Sequence, residues 1–192
     1  VFPKTESGRL TTWVGVGGSP QSVIRTARYR FRLMLAIIGG APKRFASYVD
    51  LYRRAAEQFD TTAYPVGVHS LGFIAETDEK AIELFYPGYK VIRDRLGATR
   101  GWPALREDEF LSEVERGSLY VGSPETVARK MASTIEALDV RRFDLIYSLG
   151  GAMPMSDRRR AVELYGTEVI PQVRALLAER AGVEQTPFEL AR

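Results

Sequence analysis

The sequence contains no cysteine and one histidine, His69, in 192 residues. The first absence excludes disulfides, thiolate metal sites and a cysteine nucleophile. The second excludes a histidine-rich metal centre and any mechanism that needs two imidazoles, so no metal site is expected. No run of about 18 uncharged apolar residues occurs, and no membrane-spanning helix is expected. Charge of one sign is scarce as well, since 27 Lys and Arg face 24 Asp and Glu for a net +3. Arginines gather at Arg25, Arg28, Arg30 and Arg32 and again at Arg158, Arg159 and Arg160. They lack the interleaved stacking aromatics or reader motif of a nucleic-acid surface and read as solvated helix faces. No secretory pattern opens the chain, and a cytoplasmic location is expected. What is present is 45% apolar residues, enough for one domain with a core but just short of a closed (β/α)₈ barrel.

Four apolar runs have strand length: 11–16 (TTWVGV), 33–38 (LMLAII), 66–75 (VGVHSLGFIA) and 143–148 (FDLIYS). Such nearly continuous runs fit strands buried on both faces, as in a parallel sheet. Helical patterns separate them. Residues 19–29 open with a Ser19 cap and Pro20 at the first helical position. Residues 42–59 place Phe45, Tyr48, Val49, Tyr52, Ala56 and Phe59 on one face. Thr77 caps a helix that starts with Asp78 and Glu79, two acids at its positive end. Residues 123–138 repeat the Ser-Pro start, and 157–177 read as one or two helices broken near Gly166 and Pro171. The series predicts an α/β fold of parallel β/α units with right-handed crossovers. The stretch 85–122, with Pro87, Gly88, Gly97, Gly101, Pro103 and Gly117, departs from it. It reads either as a long irregular insertion acting as a lid or as a helical excursion padding the outside.

The strongest local signal is Gly17-Gly-Ser-Pro-Gln-Ser22 after the first run. Gly17 and Gly18 let a backbone approach a ligand, the following helix has unpaired amides, and Ser19 and Ser22 add hydroxyls. This suits phosphate capture, although the pattern is neither a Walker loop nor a Rossmann fingerprint. Read from the residues alone, the segment serves as a phosphate cradle or as a plain structural turn. A weak echo recurs at Gly122-Ser-Pro-Glu-Thr-Val127. Gly39 and Gly40 end the second run similarly, and glycines there line the active face of barrels and open α/β sheets. Together with His69 they are the candidate substrate-side residues. The plain alternatives are a simple turn and a hydrogen-bonded core histidine. No nucleophile elbow and no paired carboxylates occur, so no catalytic side chain is identified and the chemistry is left to a cofactor.

The segment 13–29 (WVGVGGSPQSVIRTARY), with 35–40 (LAIIGG), 65–73 (PVGVHSLGF), 119–128 (LYVGSPETVA) and 143–148 (FDLIYS), resembles the bacterial luciferase-like flavin-dependent monooxygenases. The final 163–173 (ELYGTEVIPQV) is similar to the helix that ends their catalytic domain. The resemblance implies a TIM (β/α)₈ barrel of which this chain is the C-terminal half, strands five to eight. Residues 1–192 then form a single partial-barrel domain with an insertion at about 85–122. It implies reduced FMN, or a deazaflavin in one branch, held at its phosphate by Gly17, Gly18, Ser19 and Ser22. It also implies oxygenation of a small organic substrate with O₂, with the insertion covering the substrate side. Half a barrel exposes both sheet edges, so a homo-oligomer or a separate N-terminal half is expected as partner. The alternative is a truncated half-barrel without turnover that binds flavin or only oligomerises. A third reading is an unrelated β/α enzyme acting on a phosphorylated metabolite.

Overall fold

The computed structural model describes residues 5–8, 10–147 and 153–181. In chain order the elements are β1 (Trp13–Val16), α1 (Pro20–Arg28), β2 (Arg32–Ala36), a 3₁₀ turn (Pro42–Phe45) leading into α2 (Ala46–Gln58), and β3 (Gly67–Ile74). Then come α3 (Asp78–Arg100), α4 (Glu107–Glu115), β4 (Tyr120–Gly122), α5 (Pro124–Leu138), β5 (Arg142–Ile146) and α6 (Met155–Leu164). A π turn (Tyr165–Val169) leads from α6 into α7 (Ile170–Ala181). All strand pairings are parallel: β1 with β2, β2 with β3, and β3 with β5 through residues 67–71 and with the short β4 through residues 72–74. The parallel β/α architecture expected from the four apolar runs is what the chain adopts. Ser148, the last residue of the fourth run, lies outside the described residues.

Alternation along the strands sorts their side chains. Val14, Val16, Leu33, Leu35, Ile37, Val66 and Val68 pack against Val23 and Ala27 of α1 and Val49, Tyr52 and Ala56 of α2. Ile74 and Tyr120 pack against Val127 and Met131 of α5 and Val173 of α7. The opposite face of the sheet carries Trp13, Gly15, Arg32, Met34, Gly67, His69, Arg142 and Asp144. There the Trp13 ring lies 5.5 Å from the Arg32 guanidinium and 5.0 Å from that of Arg142. All five residues of β5 are only half-buried, and β1 and β5 each lack a partner on their outer edge among the described residues. The sheet is therefore open.

The 85–122 stretch is mainly helical, not a long irregular loop. α3 runs through Pro87 to Arg100, where Gly101 ends it with φ +69°. An internal proline costs a helix about 3 kcal/mol. It is outweighed by packing on both sides of it, with Phe85 and Tyr89 stacked 5.7 Å apart and both against Phe110 of α4. β4 is too short, at three residues, to stand out as a strand in sequence. The expected break near Gly166 and Pro171 is absent. The π turn absorbs the irregularity and the helix continues through Pro171.

Candidate functional site

The strands end on a rim where the loops enter helices, and two of these loops share the Gly-Ser-Pro pattern. In the first, Val16 is buried in the core and Gly17 and Gly18 are exposed. Gly18 has φ +146°, a conformation side chains rarely adopt. Ser19 caps α1 by accepting the Ser22 amide at 3.3 Å on its hydroxyl. The Ser22 hydroxyl accepts from the Arg25 guanidinium at 3.2 Å, which leaves its own proton free to donate. Among the described residues, the main-chain N–H groups of Gly18, Ser19 and Gln21 have no protein acceptor. On the other side of the turn, the Tyr48 hydroxyl on α2 donates to the Gly18 carbonyl at 3.0 Å. Gly17, Gly18, Ser19 and Ser22 thus lie together in one turn at the start of α1.

The second loop, at Gly122, is built alike but filled. Gly122 has φ +159° and Ser123 caps α5. Here the Ser123 amide donates to Asp78 Oδ1 at 2.6 Å and the Thr126 hydroxyl donates to Asp78 Oδ2 at 2.9 Å. Burial works against the charged form of Asp78, but these donors hold its carboxyl below the usual range. The turn therefore binds an anionic oxygen pair, supplied by the chain itself. Sequence showed Asp78 only as an acid in the first turn of its own helix. Nothing local signals a contact across 45 residues.

Gly39 and Gly40 follow β2 on the same rim. Gly39 is exposed. The Gly40 amide donates to both carboxylate oxygens of Glu113 on α4, at 3.0 and 3.1 Å, and the Ser118 amide donates to the same group at 2.9 Å. The excursion is therefore docked on the rim by a carboxylate that sequence reading missed. Behind it, the Lys130 ammonium on α5 donates to the carbonyls of Glu113, Val114 and Leu119. Burial pulls its pKa down to about 8, opposed by the Glu113 charge. A groove of about 720 Å³ between α4, α5 and Pro42 is bordered by Lys130 and Val114 and includes no residue of the first loop.

His69 lies on the face of β3 that also carries Gly67, half-buried, in register with Ala36 of β2 and Asp144 of β5. Asp144 is the acid neighbour that sequence did not reveal, and it is held by two hydrogen bonds from Arg142 at 2.8 and 3.0 Å. Because Val16 pairs with Leu35 and Leu35 with Val68, Gly17, Ala36, His69 and Asp144 fall in one row across the sheet. On this face Gly15 and Gly17 carry no side chain and Ala36 carries only a methyl group. Among the described residues no group of acids and His69 is spaced to hold a metal ion, and no helix is long and apolar enough to cross a membrane.

A sequence model of the luciferase-like monooxygenases matches residues 1–142. The chain belongs to this family. No curated protein matches it. Among solved structures it is similar to the monooxygenase RslO1 from Streptomyces bottropensis, at 20% identity and a TM-score of 0.65, covering 83% of this chain and 47% of that one. It is also similar to the oxygenating constituent of 3,6-diketocamphane monooxygenase from Pseudomonas putida, solved with FMN, at 20% identity and a TM-score of 0.61, covering 84% and 48%. The coenzyme F420-dependent tetrahydromethanopterin reductase from Methanopyrus kandleri aligns at 19% identity and a TM-score of 0.57, covering 84% and 50%. This luciferase-like chain therefore spans about half the length of the solved proteins it resembles. Its sheet is a partial barrel, as the open edges of β1 and β5 indicate.

Proposed function

We propose that this chain is the C-terminal half of a luciferase-like, flavin-dependent oxidoreductase that oxygenates a small organic substrate. In this reading Gly17, Gly18, Ser19 and Ser22 hold the phosphate of reduced FMN, with a deazaflavin as the alternative cofactor. The observation that carries the reading is the set of unaccepted N–H groups at Gly18, Ser19 and Gln21, at the positive end of α1. A phosphate dianion accepts from several such donors at once. The Ser22 hydroxyl, already accepting from Arg25, is set to donate to it. The near absence of side chains at Gly15, Gly17 and Ala36 leaves room for a planar ring against the sheet, with Gly39, Gly40 and His69 on the substrate side. The bound flavin would supply the redox chemistry with O₂, and the protein's part is to bind, orient and exclude water. The docked α3–α4 arm serves the last task at the rim.

The open β1 and β5 edges support a further part of the reading: turnover requires a partner that completes the barrel, either a second copy or a separate N-terminal half. They equally favour the second reading, a half-barrel that binds flavin without turnover or only self-associates. Titration of the chain with FMN, F420 and riboflavin, followed by O₂ uptake with reduced FMN, tests both. Binding of FMN together with O₂ uptake supports the enzyme, and binding without uptake supports the second reading. Failure to bind either phosphorylated flavin overturns the cofactor assignment.

A further inference from the structure

We infer that Tyr48 is a positioning residue for the first Gly-Ser-Pro loop, holding Gly18 so that the loop's amides stay open to a phosphate. The inference rests on the phosphate reading above and adds a residue from a different element. Glycine is the least restrained residue, and a Gly-Gly sequence at a strand end has many accessible conformations. Gly18 nevertheless stands at φ +146°. A Cβ built on Gly18 would find one neighbour within 4 Å, the Tyr48 hydroxyl oxygen at 3.9 Å. That hydroxyl donates to the Gly18 carbonyl at 3.0 Å, across 30 residues of sequence.

Tyr48 is well placed for such a role. It lies one helical turn before Tyr52, which is fully buried and donates to the Phe31 carbonyl at 2.7 Å. α2 is therefore fixed to the body of the sheet. The Phe45 ring, 5.7 Å away and tilted by 47°, flanks the Tyr48 ring. The phenol has a single proton and gives it to a main-chain carbonyl, so in this arrangement it has none left for a phosphate, which only accepts. Tyr48 thus acts through Gly18 and does not itself bind the ligand. In the filled loop the Gly122 carbonyl is held instead by the Ala75 amide, at 3.2 Å, and Asp78 occupies the donors directly.

The test uses Tyr48→Phe, which keeps the ring and its packing and removes only the hydroxyl. FMN and riboflavin, which differ by the phosphate, are titrated separately by flavin fluorescence, with Ser19→Ala alongside. The expected result is a roughly three- to ten-fold weaker Kd for FMN, an unchanged Kd for riboflavin and an unchanged thermal midpoint. Wild-type FMN affinity in Tyr48→Phe, with Ser19→Ala weakened, overturns the role of Tyr48 and leaves the phosphate site standing. Equal weakening toward FMN and riboflavin also overturns it, because the hydroxyl then acts on the fold at large. If neither variant changes FMN binding, the phosphate reading falls and this inference falls with it.

Discussion

The loops at Gly18 and Gly122 begin from nearly the same six residues and end in opposite states. Each has a glycine of positive φ, a serine cap and a proline in the first helical turn. At Gly122 the donors are closed by Asp78, and the loop ties α3 to α5. At Gly18 they are open, and among the described residues the only long-range bond to the loop itself is the Tyr48 hydroxyl on its carbonyl. The difference teaches that the pattern specifies an anion-accepting geometry, and that a neighbour decides whether the anion is internal or external. The chain uses one copy for stability and, in the function proposed here, the other for its cofactor.

That contrast can be broken most forcefully at Asp78. Asp78→Ala leaves the Ser123 amide and the Thr126 hydroxyl unaccepted, with an expected loss of about 2–3 kcal/mol in urea unfolding. Inorganic phosphate should restore part of it by taking the vacated place. Because the folded state lowers the Asp78 pKa, its contribution is present above the ordinary carboxylate range. It is lost as pH falls through the lowered value, so the variant should show a weaker acid dependence than wild type. No loss, or a loss that phosphate leaves untouched, would deny that this loop is an anion cradle.

Glycine substitutions sharpen the comparison. A Cβ on Gly122 would sit 2.7 Å from Asp78 Oδ1 and 3.2 Å from Thr126, whereas on Gly18 it meets nothing nearer than 3.9 Å. Gly122→Ala should cost about 2–3 kcal/mol, from backbone strain together with the displaced carboxylate. Gly18→Ala should cost about 1–2 kcal/mol from the backbone alone. Equal unfolding free energies for the two variants would contradict the assignment of filled and open loops.

The buried lysine behind the Glu113 contact should be visible in alkali. Lys130 titrates at about 8 in the folded protein against an ordinary 10.5. Between those values the unfolded chain holds a proton that the folded one lacks, so stability should rise with pH across that window, by about 3 kcal/mol. Lys130→Met should remove this rise, read as the difference between the two stability–pH curves. The smallest effect is expected at the caps. Ser19→Ala and Ser123→Ala should each cost about 1 kcal/mol of stability, and only Ser19→Ala should also weaken FMN.

Much of the framework was legible because its signals are local. The runs at 11–16, 33–38, 66–75 and 143–148 carry the β1, β2, β3 and β5 strands, and Ser19, Thr77 and Ser123 each cap the helix they announce. Local signals failed where tertiary packing overrode them. Phe85, Tyr89 and Phe110 carry a helix through Pro87, and a π turn carries another past Gly166. The candidate site was legible as far as the Gly17–Ser22 loop. Its supports were not, because Tyr48 reaches Gly18 across 30 residues, Asp78 reaches Ser123 across 45 and Glu113 reaches Gly40 across 73. Asp144 became a neighbour of His69 only through strand register.

The central claim, one loop open and its twin filled, is tested most directly by following the backbone amide resonances of the chain during an FMN titration. The account predicts saturable shifts at Gly18, Ser19, Gln21 and Ser22, with Ser123 and Thr126 unmoved. Shifts confined to the Gly122 loop, or none at Gly18 and Ser19 at saturating FMN, would contradict it.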